Sequence, residues 1–311
     1  MLRNGKLINT EVRIENTNLC NAHCVMCPRE KMTRSKTTMC WGLFCNLVDQ
    51  AIDLGAETIS VFGFGEPLLD KNLEEKIGYC SDKGLNTWIT TNASVLGMQR
   101  SFNLLNAGLK NIRFSVHAST PLEYDRVHNG LSWIETTRNI ANFLHINKRA
   151  GNPIKTNMVC MPISGEPTDQ IIETWVNLVD YLEIWRPHNW GNAKAYRKPN
   201  PMLKTCGRPF SGPVQIQADG DVIPCCFLTN AEVVLGNVND NQIVDILNGH
   251  KYESLRWMHK TGFYKDVPCE TCDQRNVEER NPLLFSNRDP DKIIGKTSTC
   301  KTQVAKPISI T

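Results

Sequence analysis

The sequence predicts an α/β protein built on a parallel sheet, and three observations carry that prediction. Short runs of alternating or β-branched apolar residues recur through roughly the first 190 residues. Between them lie segments with apolar residues at helical spacing. Most of those segments close on a glycine, where a helix needs a left-handed stop. Such alternation means parallel strands joined by crossover helices. Spacing alone leaves two architectures open, a doubly wound sheet and part of a barrel.

The elements follow in order. A strand is expected over 11–17 (EVRIENT), then a helix over 41–54 (WGLFCNLVDQAIDL) stopped at Gly55. Next come a strand over 57–62 (ETISVF) and a helix over 72–83 stopped at Gly84. The pattern repeats as strand 86–91 (NTWITT), helix 97–107 before Gly108, strand 111–117 (NIRFSVH), and a long helix 132–150 before Gly151. Strand 154–161 (IKTNMVCM), helix 168–180 and strand 181–187 (YLEIWRP) complete the run. Residues 191–204 (GNAKAYRKPNPMLK) are polar and proline-bearing and read as a linker. A hairpin is expected over 214–223, around an Ala-Asp-Gly-Asp turn, and a helix near 241–259. The expected domains are a core over 1–190, the linker 191–204, a smaller domain over 205–275 and a tail over 276–311.

The length of 311 residues suits one large or two unequal domains. A formal charge of +3 argues for neither nucleic acid nor membrane as partner. No apolar run approaches the roughly 18 residues that span a bilayer. The N-terminus lacks the apolar stretch of a secretory signal. With 13 cysteines and no signal, metal ligation in a reducing cytoplasm is expected in place of disulfides.

Cys20, Cys24 and Cys27 are spaced C-x3-C-x2-C. Three ligands are too few for a closed zinc site, which needs four. They suit a cubane iron–sulfur cluster with one iron left open to a small chelating molecule. A zinc site completed by His23 is the competing reading. The spacing resembles the signature of radical S-adenosylmethionine enzymes, and that resemblance implies a partial (β/α)6 barrel. It also implies an open iron chelated by S-adenosylmethionine, which is cleaved to methionine and a 5′-deoxyadenosyl radical. Met26 stands where the family packs an apolar residue near the adenine; core filler is its other reading.

In barrels, active sites sit at the C-terminal ends of the strands, so polar residues there are read first. Gly63-Phe64-Gly65-Glu66-Pro67 resembles the family's Gly-Gly-Glu-Pro stretch, with Phe64 in place of one glycine. The resemblance implies that Gly65, Glu66 and Pro67 hold the amino group of S-adenosylmethionine; glycine permits close backbone approach. Thr90-Thr91-Asn92 looks like the family's Thr-Asn-Gly stretch, with Ala93 for glycine. Ser115 matches a position that touches ribose or carboxylate, and Lys155 one that meets the carboxylate in some relatives. Arg186-Pro187-His188-Asn189 forms a polar cluster beside Trp190, suited to a hydroxylated or charged small molecule. Arg186, His188 and His117 are the expected substrate-side residues.

A second cysteine set comprises Cys206, Cys225 and the C-x2-C pair Cys269 and Cys272. Four thiolates can hold zinc or a second cluster. Behind a radical domain the pattern resembles the auxiliary-cluster domain called SPASM or its shorter form, twitch. No further cysteine follows closely, which implies one auxiliary cluster and two [4Fe–4S] clusters in all. Cys226 is the alternative to Cys225 as ligand. Cys40, Cys45, Cys80 and Cys160 read as core residues, and Cys300 falls in the polar tail.

The implied activity is hydrogen abstraction from a small polar substrate, with a secondary alcohol of a sugar or aminocyclitol oxidised to a ketone. Twitch-bearing dehydrogenases of this family share the layout. The alternatives are a peptide or protein maturase and a carbohydrate epimerase. Only 19 residues precede Cys20, short for a leader-peptide domain. An electron donor of flavodoxin or ferredoxin type is the expected partner.

Overall fold

A computed structural model of the chain describes residues 1–163, 168–200 and 202–276 and the strand segments 282–285 and 303–304. A short N-terminal hairpin comes first, β1 (Leu2–Arg3) against β2 (Lys6–Leu7). The six expected crossover strands then form: β3 (Glu11–Ile14), β4 (Thr58–Val61), β5 (Asn86–Thr91), β6 (Asn111–Ser115), β7 (Lys155–Cys160) and β8 (Tyr181–Ile184). Helices α1 (Trp41–Asp53), α2 (Leu73–Asp82), α3 (Met98–Asn106), α4 (Pro121–Val127), α5 (Trp133–Arg149) and α6 (Thr168–Trp175) connect them. Gly55, Gly84, Gly108 and Gly151 take left-handed backbone just past α1, α2, α3 and α5, as helix stops do. The sequence reading has no helix at α4. Its signal is present nonetheless, a Thr-x-x-Glu capping box in which Thr120 Oγ1 accepts from the Glu123 N–H.

The chain forms two compact units. One comprises Met1–Leu19, Pro28–Asn86 and His188–Glu278. The other comprises Cys20–Cys27 and Thr87–Pro187, together with β12 (Pro282–Phe285). Met1–Leu19 and Pro28–Asn86 thus cluster with the residues that follow Pro187. The reason is strand pairing. In the first unit β3 pairs in parallel both with β4 and with β9 (Val214–Ile216), so the late hairpin extends the sheet of the first strand. Antiparallel β10 (Asp221–Ile223) and β11 (Gly236–Asn237) continue it outward.

In that unit α1 buries Phe44, Leu47, Val48 and Ala51, the spacing of one helix face. After a one-turn α7 (Arg208–Ser211), the expected helix near 241–259 is two: α8 (Ile243–Asn248) and α9 (His250–Thr261), broken where Gly249 is extended. The segment 191–204 is hydrogen-bonded within the first unit. Asn192 Nδ2 donates to Thr271 Oγ1 at 2.9 Å, and the Leu203 N–H donates to the Arg275 carbonyl at 3.0 Å. Arg197 bonds buried Asp273 at 2.6 Å.

In the second unit β5, β6, β7 and β8 run parallel, and β12 pairs antiparallel with β8. Every residue of β8 is buried. Inside the sheet Glu183 accepts from Arg113, Asn157 and Trp185 at 2.8, 2.8 and 2.6 Å, which satisfies a carboxylate that burial would otherwise penalise. Cys80 and Cys160 are core residues as expected. Cys40 is exposed and Cys45 half-buried, because both sit on the outer side of the start of α1. Cys300 and most of the expected tail lie outside the described residues. Among the described residues no helix is long and apolar enough to cross a membrane.

Candidate functional site

Cys20, Cys24 and Cys27 are each half-buried on the loop within the second unit. The loop is braced by backbone bonds on both sides of Cys24. The His23 N–H donates to the Asn129 carbonyl at 2.8 Å, and the Val25 N–H donates to the Val127 carbonyl at 3.0 Å. Between these rungs Cys24 Sγ lies 3.3 Å from His128 Nδ1. His128 is fully buried, and its Nε2 accepts from the His117 N–H at 3.0 Å. Burial, with His117 beside it, holds its pKa well below the ordinary value, so the ring is neutral. His128 is a site residue that the sequence reading missed.

Met26 is buried in a small core with Val127 and Met161, with Cys24 and Trp185 packed against it. Asn92 is tied to the loop: its Nδ2 donates to Asn21 Oδ1 at 3.1 Å, and Asn21 Nδ2 donates to Ser94 Oγ at 2.8 Å. Ala93, standing where the family has glycine, takes left-handed backbone at φ 58°. Asn139 pins that turn by donating to the Ala93 and Ser94 carbonyls. Thr90 is half-buried near the end of β5, and Ser115 ends β6.

Three expectations change here. Lys155 is the first residue of β7 and pairs with Asn111 at the start of β6. That is the N-terminal edge of a parallel sheet, opposite the end where Thr91 and Ser115 finish their strands. His117 Nδ1 accepts from the Met161 N–H at 3.1 Å, so a neutral ring carries its proton on Nε2 and presents a donor, not a base. Arg186 is exposed on the second unit, whereas His188 is buried in the first, packed on Trp190 and Phe227 with ring centroids 4.4 and 4.5 Å away.

In the first unit a Cβ on Gly65 would fall within 2.6 Å of the Leu19 carbonyl oxygen and still closer to that of Thr17. The glycine therefore serves close approach to the chain leading into Cys20. The Glu66 N–H donates to that Leu19 carbonyl at 2.8 Å, and its buried carboxylate caps the turn at Pro67 by accepting from the Leu68 N–H. The preceding residues are held by Glu15, which accepts from the Phe64 N–H at 2.8 Å, the Ala218 N–H at 3.0 Å and both terminal nitrogens of Arg34 at 3.0 and 3.2 Å.

Cys206, Cys225, Cys269 and Cys272 line one cavity of the first unit, together with Arg208 and Phe227. Cys226 is not among its lining residues. Among the described residues no three acidic, histidine or cysteine side chains close on a single metal-ion position. Arg208 lies 4.7 Å above the Phe227 ring, and its buried Nε has no hydrogen-bond acceptor. Burial works against its charge, but the neighbouring cysteines when ionised, Cys225 and Cys206 foremost, outweigh burial and raise its pKa. A buried guanidinium with an unbonded Nε and one bond, from Nη2 to Gln274 Oε1 at 3.3 Å, lines the same cavity as four thiols and fits an anionic thiolate-bound cluster. Burial pushes the Cys269 and Cys272 thiols up to about 12 and about 11, so deprotonation there needs a metal.

Residues 14–174 match the Radical SAM superfamily model, and residues 206–273 match SPASM, an iron–sulfur cluster-binding domain. The S-adenosyl-L-methionine-dependent 2-deoxy-scyllo-inosamine dehydrogenase of Niallia circulans is 25% identical over 272 residues, covering 86% of this chain and 94% of that protein. The structure of BtrN in complex with AdoMet and 2-DOIA is 22% identical with a TM-score of 0.58, covering 86% of this chain and 94% of that one. Streptococcus suis SuiB bound to precursor peptide SuiA is 15% identical with a TM-score of 0.67, covering 86% and 70%.

Proposed function

The chain belongs to the radical S-adenosylmethionine superfamily, and we propose that it oxidises a secondary alcohol of a small polar molecule, a sugar or aminocyclitol, to a ketone. Its cofactors are S-adenosylmethionine with a [4Fe–4S] cluster, and further iron–sulfur in the SPASM domain. Cys20, Cys24 and Cys27 would hold the first cluster, and Cys206, Cys225, Cys269 and Cys272 a single auxiliary one. When bound, these groups supply a 5′-deoxyadenosyl radical and an electron acceptor. The chain's own residues orient and shield. The Glu66 carboxylate suits the ammonium of S-adenosylmethionine, and Ser115, Arg186 and the His117 Nε2–H suit substrate oxygens. A flavodoxin- or ferredoxin-type donor and a reducing cytoplasm belong to the same reading.

The observation that carries this proposal is the gathering of four thiols and Arg208 on one cavity. Four protein ligands saturate a cubane and leave no iron for substrate, so an acceptor role fits, and the net reaction removes two hydrogens. In the test, reconstituted protein should carry about 8 iron atoms per chain as two cubanes. A Cys206→Ala/Cys225→Ala variant should fall to about 4, still cleave S-adenosylmethionine, and give no product two hydrogens lighter than substrate. A wild-type count near 4 with stoichiometric zinc contradicts the auxiliary cluster. A product isomeric with its substrate would mean epimerisation. The fold likeness to a peptide-bound enzyme makes a peptide the second reading, and peptides belong in the substrate panel.

A further inference from the structure

The ring of His128 is held so that its orientation and its proton are both fixed. It is sandwiched between Tyr124 and His117, with ring centroids 4.5 and 5.1 Å away and planes 24° and 17° from parallel. Nε2 faces the His117 backbone N–H at 3.0 Å. A backbone N–H can only donate, so Nε2 carries the lone pair, and the proton of the neutral ring is on Nδ1. Nδ1 is the atom 3.3 Å from Cys24 Sγ. The backbone rungs from His23 to Asn129 and from Val25 to Val127 set the two segments in register, which places residue 24 opposite residue 128.

We propose that His128 is a positioning residue whose Nδ1–H donates a permanent hydrogen bond to the Cys24 sulfur and raises the reduction potential of the cluster that this sulfur helps to hold. The inference rests on the reading of Cys20, Cys24 and Cys27 as cluster ligands. Hydrogen bonds to ligand sulfurs are among the terms that set iron–sulfur potentials, and outer partners of metal ligands carry measurable weight. The direction follows from charge. Reduction adds an electron and makes the sulfur a stronger acceptor, so a donor favours the reduced form. The electron comes from the external reductant and no proton moves. The same contact holds the middle cysteine of the loop in one rotamer.

The experiment is a mediated redox titration of anaerobically reconstituted full-length protein, read by electron paramagnetic resonance. Adding S-adenosylmethionine perturbs the loop cluster's signal and so tells it from the auxiliary one. His128→Phe keeps the aromatic sandwich and removes the donor. His128→Asn keeps an N–H near the Nδ1 position. At a fixed potential the reduced-to-oxidised ratio should fall roughly tenfold in His128→Phe, equivalent to about 59 mV for one electron. It should recover to within about threefold of wild type in His128→Asn. Independently, wild type grown with 15N-histidine should show a nitrogen coupling in the pulsed spectrum of the reduced loop cluster, and that measurement needs no variant to fold. An unshifted His128→Phe titration at full iron content, or no histidine coupling, overturns the role of His128 and leaves the ligand assignment standing. A wild-type protein with no signal that responds to S-adenosylmethionine overturns both.

Discussion

His259, on α9, is 1% exposed, and its Nδ1 lies 2.8 Å from Thr205 Oγ1. Burial, with Arg275 nearby, lowers its pKa from the ordinary 6.5 to about 4. The unfolded ring takes up a proton at a higher pH than the folded one. The unfolded state therefore binds more protons between those values, and stability falls as pH falls from 6.5 toward 4. Urea midpoints measured across that window should decline in wild type and decline less in His259→Gln. Equal slopes would contradict the assignment. At this scale the sequence was legible where one residue's chemistry suffices. Gly65 reads as a place of close approach, and the structure supplies the partner, the carbonyls of Thr17 and Leu19. Lys155 was singled out by the resemblance alone; the strand expected over 154–161 already put it at the N-terminal end, where the structure pairs it with Asn111. His128 gave no signal, since its partner Cys24 is 104 positions away.

Glu15 follows β3 directly, and its four bonds join three separate stretches of one unit: the turn after β4 through Phe64, the hairpin after β9 through Ala218, and Arg34. Arg34 extends the joint by donating to the Thr229 carbonyl at 2.8 Å. Both charges are buried, and neutralising Glu15 leaves Arg34 only the longer, part-exposed contact to Asp219 at 3.7 Å. Glu15→Gln should cost about 3 kcal/mol in chemical denaturation. Its iron loss should fall on the auxiliary site first, because Ala218 and Thr229 flank Cys225. A change under about 0.5 kcal/mol would show the joint to be dispensable. The six strands themselves were readable because alternation is local. The pairing of β9 onto β3 was not, because it joins residues about two hundred positions apart. That pairing is why the hairpin belongs to the first strand's unit.

Across the whole molecule two cysteine sets, one of three and one of four, are held by different unit frameworks. The loop set is braced by the 127–129 backbone, and the second set shares one cavity with a buried guanidinium. Both were visible as spacings, since cysteines two or three apart are a local signature. The buried Arg208 was not, because its meaning comes only from the thiols gathered around it. The central claim is that a radical made at the loop site takes hydrogen from the carbon bearing a substrate alcohol. It is tested most directly by incubating reconstituted protein, dithionite and S-adenosylmethionine with sugars and aminocyclitols deuterated at their carbinol carbons. The account predicts deuterium in 5′-deoxyadenosine with at least one of these, one equivalent per ketone formed, and none when Cys20, Cys24 and Cys27 are replaced by alanine. Unlabelled 5′-deoxyadenosine across the whole panel, with transfer from a labelled peptide instead, would contradict it.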